Sequence, residues 1–184
     1  PPIGYNKPIA KIHVQKEYIM WYAILGAVLL AGDQILKYWV VTHLAVGESA
    51  PFLPGFMQLT RLHNYGAAWS SFSGRTVLLV VFTAVLLAVV ALLLLKKVVR
   101  HWTGVTACTL ILSGGIGNII DRIVHGYVVD MFDLQLFSYP VFNLADCCVV
   151  AGAILGGIYY LFLYDKYDKK KKEPDHAHDP SDPS

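Results

Sequence analysis

Four long apolar stretches separated by polar segments set the plan of this 184-residue chain. They run from about Tyr18 to Val41, from Thr76 to Leu95, from about Trp102 to Ile120, and from Val141 to Tyr164. Each approaches the roughly 20 residues that a helix needs to cross about 30 Å of hydrocarbon. In lipid, an open-ended segment satisfies its own backbone polar groups only as a helix, so all four are predicted to be transmembrane helices. The first could pass for a signal peptide, because Lys7, Lys11 and Lys16 precede it. It is too long for one, has no evident small-residue cleavage site and is followed by three more spans, so it reads as retained. Between the first two spans, polarity alternates around Met57 to Leu62, which predicts a short strand or hairpin. Gly66 to Gly74 mixes small and aromatic residues, which suits a segment lying at the interface with Trp69 and Phe72 as anchors. Residues 121–140 read as a loop, and Asp133 within it as a solvated acid.

Composition agrees with a polytopic membrane protein of one domain, at 55% hydrophobic residues. The expected division is a cytoplasmic segment at 1–17, a four-helix membrane unit at 18–164 and a disordered tail at 165–184. The start at Pro1-Pro2 without Met reads as trimmed, processed or tagged. Charge distribution says more than the net +2, which offers no electrostatic case for a nucleic-acid partner. Eleven of the 15 basic residues lie before the first span, between the second and third (Lys96, Lys97, Arg100), or after the fourth (Lys166, Lys169 to Lys172). The positive-inside rule then puts both termini and the 96–101 loop in the cytoplasm, with 42–75 and 121–140 outside. Cys108, Cys147 and Cys148 form no C-x-x-C and read as small buried thiols.

The unusual polar residues gather at the predicted outer end. Asp146 lies in the fourth span, where a carboxylate costs roughly 2.5–3.5 kcal/mol on insertion scales. It must be paired, wet or used. Asp130, sixteen residues earlier, should end near the same membrane face, and two carboxylates there suggest acid–base chemistry on a substrate held in the bilayer. Asp33 and Lys37 are four apart on one helix face, and Asn143 and Asp146 three apart on another. Asn64, Asn118, Asp121 and Arg122 fall at the same depth. Each also has a plainer reading: an intrahelical Asp33–Lys37 pair, an interfacial Asp121–Arg122 pair, a turn at Asn64. Gly114, Gly115 and Gly117 read as close-packing positions. Ser70, Ser71, Ser73 and Ser138 lack a matched His–Asp set, and His125 has no Ser or Cys partner. None of the seven histidines is near Asp146 in sequence, and no phosphate-cradling loop is present. His176 and His178 read as solvated.

Four blocks together resemble the bacterial signal peptidase II (lipoprotein signal peptidase) family. They are Asp33-Gln-Ile-Leu-Lys37, Asn64-Tyr-Gly-Ala-Ala-Trp69, Gly114-Gly-Ile-Gly-Asn-Ile-Ile-Asp-Arg122 continuing to Val128-Val-Asp130, and Phe142-Asn-Leu-Ala-Asp146. The resemblance spans nearly everything from the first span to the fourth. Departures from the family's usual residues are Leu36 for Thr or Ser, Trp69 for Phe, and Cys147 and Cys148 for small polar residues.

The resemblance implies an all-α polytopic membrane fold of four transmembrane helices with a small extracytoplasmic β-cradle and an interfacial helix. It implies an aspartyl peptidase of the bacterial cell membrane that cleaves prolipoproteins before the diacylglyceryl-modified cysteine. Asp130 and Asp146 would be its catalytic pair, with Asp33, Lys37, Asn64, Gly66, Asn118, Asp121, Arg122 and Asn143 shaping the site. Expected partners are lipid-modified prolipoproteins, membrane lipid and globomycin-type inhibitors; no metal or organic cofactor is called for. Two other classes compete: a small ion-coupled transporter relaying through Asp33, Lys37 and Asp146, and a scaffold whose polar groups merely tie helices together. The transporter reading lacks charges that would carry a path to the inner face.

Overall fold

A computed structural model of the chain describes residues 9–66 and 75–169, with side chains described from residue 19. In chain order its elements are α1 (Ile9–His43), β1 (Ser49–Leu53), β2 (Met57–Asn64), α2 (Thr76–Leu95), α3 (Trp102–His125), β3 (Val128–Leu134), α4 (Leu144–Phe162) and the single turn α5 (Tyr164–Tyr167). Four helices are long and apolar enough to cross a membrane: Ile19–His43 within α1, α2, α3 and α4. The strands form one antiparallel sheet, ordered β1-β2-β3, at the end of the bundle where α1 and α3 finish.

Helix α3 is the hub, packed against α1, α2 and α4. Small residues permit that closeness. A Cβ at Gly114 would collide with the Ala145 carbonyl of α4, and one at Gly117 would stand 2.8 Å from Asp33 Oδ2 on α1. The expectation that these glycines serve packing therefore holds. Burial is inverted relative to a water-soluble bundle. Val77, Phe82, Leu95 and Leu161 are exposed, whereas Asp33, Lys37, Asp121, Asp130 and Asn143 are buried. That arrangement fits a lipid surround, where outward apolar side chains cost nothing and polar ones must find each other.

The sheet is bolted to the end of α1. Val40 and Leu44 bury against Val129 and Met131 of β3. Arg61 of β2 donates from Nη1 to the carbonyls of Val41 (3.0 Å) and Leu44 (2.9 Å), satisfying acceptors that the helix end leaves open.

Several expectations need correction. The strand around Met57 to Leu62 exists, but 128–134 is strand rather than loop, because it pairs with β2 along Leu62↔Asp130, His63↔Val129 and Asn64↔Val128. Asp133 is not a solvated loop acid. It accepts hydrogen bonds from Gln58 Nε2 (2.7 Å) and Thr60 Oγ1 (3.2 Å) across the sheet. Helix α3 continues past Ile120 to His125 and stops at Gly126, whose φ of +82° closes the helix in the left-handed region. Helix α4 begins at Leu144, not Val141, because Phe142 bridges to Phe132 of β3 and Asn143 is the N-cap. Helix α1 starts at Ile9, ahead of the candidate span that begins at Ile19. Order also runs past Tyr164, to α5 and a buried Asp168. Cys147 is exposed rather than buried, unlike Cys108 and Cys148. The expected interfacial helix, with Trp69 and Phe72, and the tail from residue 170 lie outside the described residues.

Candidate active site

Every polar residue singled out at the predicted outer end converges at the sheet end of the bundle. The arrangement is two linked networks, one around Lys37 and one around the pair Asp130 and Asp146.

Lys37 is only 3% exposed and is fully engaged. Its ammonium meets Asp33 Oδ2 at 2.8 Å and Asp121 Oδ2 at 3.0 Å, and donates to Asn118 Oδ1 at 3.1 Å. Three donors thus meet three acceptors. Asp33 turns its other oxygen to α4, where Oδ1 accepts from the Ala145 amide at 2.9 Å. Asp121 Oδ2 accepts from the Val129 amide at 3.1 Å, tying α3 to β3. The Asp33–Lys37 pair is therefore more than an intrahelical contact; it clasps α1, α3, β3 and α4 together. Gln34, which sequence reasoning passed over, donates to Asp33 Oδ2 (3.2 Å), Asp121 Oδ1 (3.2 Å) and the Gly117 carbonyl (3.3 Å). Its place one residue after Asp33 in the first motif block was the available signal.

Asn143 joins this clasp to the carboxylates. As N-cap of α4, its Oδ1 accepts from the Asp146 amide at 2.8 Å, and its own amide donates back to Asp146 Oδ2 at 3.3 Å. Its Nδ2 donates to Asp130 Oδ1 at 2.7 Å and to Asn118 Oδ1 at 3.2 Å. Asn118 in turn donates from Nδ2 to Asp146 Oδ1 at 2.8 Å. Asn64 donates from Nδ2 to Asp130 Oδ2 at 2.9 Å, while its Oδ1 accepts from the Gly66 amide at 2.9 Å, so it acts as more than a turn former. Arg122 does not pair with Asp121. Its Nη2 donates to the Gly66 carbonyl at 2.8 Å and its Nη1 to the Asn118 carbonyl at 3.4 Å.

The two carboxylates differ in setting. Asp130 is 1% exposed, whereas Asp146 is half-buried at the amino end of α4. Burial, and then the negative charge of Asp146, push the Asp130 carboxyl up to about 7, against the pull of hydrogen bonds from Asn64 and Asn143 and of the Lys37 charge. The pair can therefore hold one proton between two carboxylates near neutral pH. Among the described residues, no three His, Cys, Asp or Glu side chains come together as a metal-binding group.

The family model described as Signal peptidase (SPase) II matches residues 25–162, which contain both networks. The chain belongs to the signal peptidase II family. It is 39% identical over 151 residues to the lipoprotein signal peptidase of Enterococcus faecalis, across 82% of this chain and 93% of that protein. It is 38% identical over 146 residues to the lipoprotein signal peptidase of Lactococcus lactis, across 79% and 95% of the two chains. The fold matches a bacterial membrane enzyme solved by the in meso method at 2.3 Å resolution, with a TM-score of 0.74 and 31% identity over 85% of this chain and 95% of that one. Family and fold together make this signal peptidase II relative a membrane protein.

Proposed function

We propose that the chain is a lipoprotein signal peptidase: an intramembrane aspartyl endopeptidase that removes the signal peptide from prolipoproteins before the diacylglyceryl-modified cysteine. Asp130 and Asp146 are its catalytic residues. The observation that carries the reading is Asn143, which hydrogen-bonds to both carboxylates from the N-cap of a membrane helix.

Asp130, the more buried acid, starts protonated, and Asp146 starts ionised at a helix end that stabilises negative charge. Asp146 takes a proton from water as the water oxygen bonds to the scissile carbonyl carbon. Asp130 gives its proton to the carbonyl oxygen, so a neutral gem-diol forms. On collapse the C–N bond breaks, Asp146 passes its proton to the departing amine, and Asp130 recovers one from a gem-diol hydroxyl. The pair ends as it began. Asn64, Asn118 and Asn143 hold the carboxylates, while Asp33, Lys37 and Asp121 keep the three helix ends and β3 in register. Gly66 and Arg122 tie the segment after β2 to α3.

The 96–101 loop faces the cytoplasm and the sheet faces outward in the cell membrane of a bacterium, with residues 18–164 as the peptidase unit. The lipid chains and apolar signal helix of the substrate stay in the bilayer, so only the cleavage site needs to reach the sheet end. The test is mass spectrometry of a diacylglyceryl-modified precursor after incubation with the purified chain. Release of the signal peptide at the modified cysteine is expected, with little product from unlipidated precursor and with inhibition by globomycin. Equal cleavage of lipidated and unlipidated precursor would contradict lipid recognition; no cleavage of either would contradict the peptidase reading.

A further inference from the structure

Far from the carboxylates, α1 and α2 leave a groove of about 930 Å³ across the face of α3. Its walls are mainly apolar, with Ala27 and Leu30 from α1, Leu94 from α2, and Val105 and Leu112 from α3, while the hydroxyls of Thr109 and Ser113 donate to the Val105 and Leu110 carbonyls of their own helix. It ends at Ile116, short of Asn118. Its other end opens between Lys97 and Arg100, beside Trp102.

That rim is basic. Lys97 follows the end of α2 in the left-handed region at φ +53°, with its amide donating to the Leu94 carbonyl at 3.0 Å. Its side chain is exposed and pairs with no carboxylate among the described residues. Arg100 gives Nε to Asp168 Oδ1 at 3.2 Å and Nη2 to the Asp168 carbonyl at 3.4 Å, yet its side chain stays 53% exposed. Asp168 itself is enclosed by Tyr159 Oη and the amides of Arg100 and His101, and it does not line the groove. One carboxylate thus anchors Arg100, while Lys97 has none among the described residues.

We infer that this groove binds an anionic phospholipid, with an acyl chain against α3 and the phosphate between Lys97 and Arg100. Both parts of the site are needed for that choice. The walls demand an apolar occupant, and the rim selects a headgroup with net negative charge over a zwitterionic one. A signal peptide fits the walls but brings a positively charged amino-terminal region, which Lys97 and Arg100 would repel. The inference rests on the orientation proposed above, since basic pockets between helices on the cytoplasmic side meet the leaflet richest in anionic lipid. It does not rest on catalysis.

Native mass spectrometry of the purified chain in detergent, with palmitoyl-oleoyl phosphatidylglycerol or the matching phosphatidylcholine, tests it. Phosphatidylglycerol should be retained at least about tenfold more strongly, a preference of about 1.4 kcal/mol. The Lys97→Gln variant, which leaves the Asp168 contacts intact, should lose most of that preference. The Ala27→Trp variant, which fills the groove, should lose the bound lipid while still cleaving a lipidated precursor. Equal retention of the two lipids would overturn the inference, as would a preference that survives both substitutions. Displacement of phosphatidylglycerol by a synthetic unlipidated signal helix would assign the groove to substrate instead.

Discussion

Asn143 donates its side-chain amide to Asp130 at 2.7 Å. The same residue caps α4 by accepting from the Asp146 amide at 2.8 Å. One side chain thereby sets the spacing of two carboxylates that arrive from different elements, a strand and a helix.

Asn143→Ala removes the cap and the tie together. Loss of an N-cap of this kind costs about 1 kcal/mol of stability. Misplacement of a reacting group by about 1 Å costs roughly 10²-fold in rate, so kcat should fall by about that factor with KM little changed. Steady-state kinetics on a lipidated precursor, with thermal unfolding in detergent alongside, separate the two effects. A kcat within twofold of the wild type would remove Asn143 from the positioning role.

Lys37→Met should damage the fold before the chemistry. It would leave Asp33 and Asp121 buried without their counter-charge, and breaking a buried ion pair from one side costs about 3–5 kcal/mol. Thermal unfolding in detergent measures it. A loss below about 1 kcal/mol would mean that the clasp is not what holds α1, α3 and α4 in register.

The pH dependence has a definite sign. Asp130 titrates near 7 in the folded protein, pushed up by burial and then by Asp146, against an ordinary value of 3.8. Between those values the folded chain holds a proton that the unfolded chain has released. The contribution of this group to stability is therefore greatest below pH 3.8, declines through the window up to about 7, and is flat above it. Cleavage that needs the same proton should lose rate as pH rises past about 7. A pH–rate profile on lipidated precursor tests this, and a level rate from about pH 6 to pH 9 would contradict Asp130 as the acid.

Much of this site was legible in the chain because lipid penalises polarity. Asp33, Lys37, Asn118, Asp121, Asn143 and Asp146 stood out as polar groups at one depth of apolar spans, and they do converge. The strand carrying Asp130 was not legible. Val128–Leu134 is too short and too apolar for its alternation to be told from loop, and its partner β2 lies some seventy residues earlier. The true partner of Asp121 was hidden for a related reason. Neighbouring Arg122 is adjacent in sequence but points off the helix toward Gly66, whereas Lys37 reaches Asp121 only once α1 and α3 are packed. Gly117 permits that packing, as its place among the close-packing glycines suggested, but the group it makes room for, Asp33 Oδ2, emerges only from the fold.

The clasp at the opposite end should matter for stability alone. Tyr159→Phe deprives the buried Asp168 of its hydroxyl donor. Leaving a buried charged acceptor short of one hydrogen bond costs about 1–3 kcal/mol. Thermal unfolding should register that loss while kcat on lipidated precursor stays unchanged. A matching fall in kcat would mean that the two ends of the bundle are coupled.

The most direct measurement compares wild type, Asp130→Asn and Asp146→Asn, each purified in detergent and shown to be folded by thermal unfolding. A diacylglyceryl-modified precursor is then followed by mass spectrometry. Each substitution should abolish signal-peptide release while leaving the folded protein intact. Wild-type cleavage by either variant would contradict the two-aspartate mechanism.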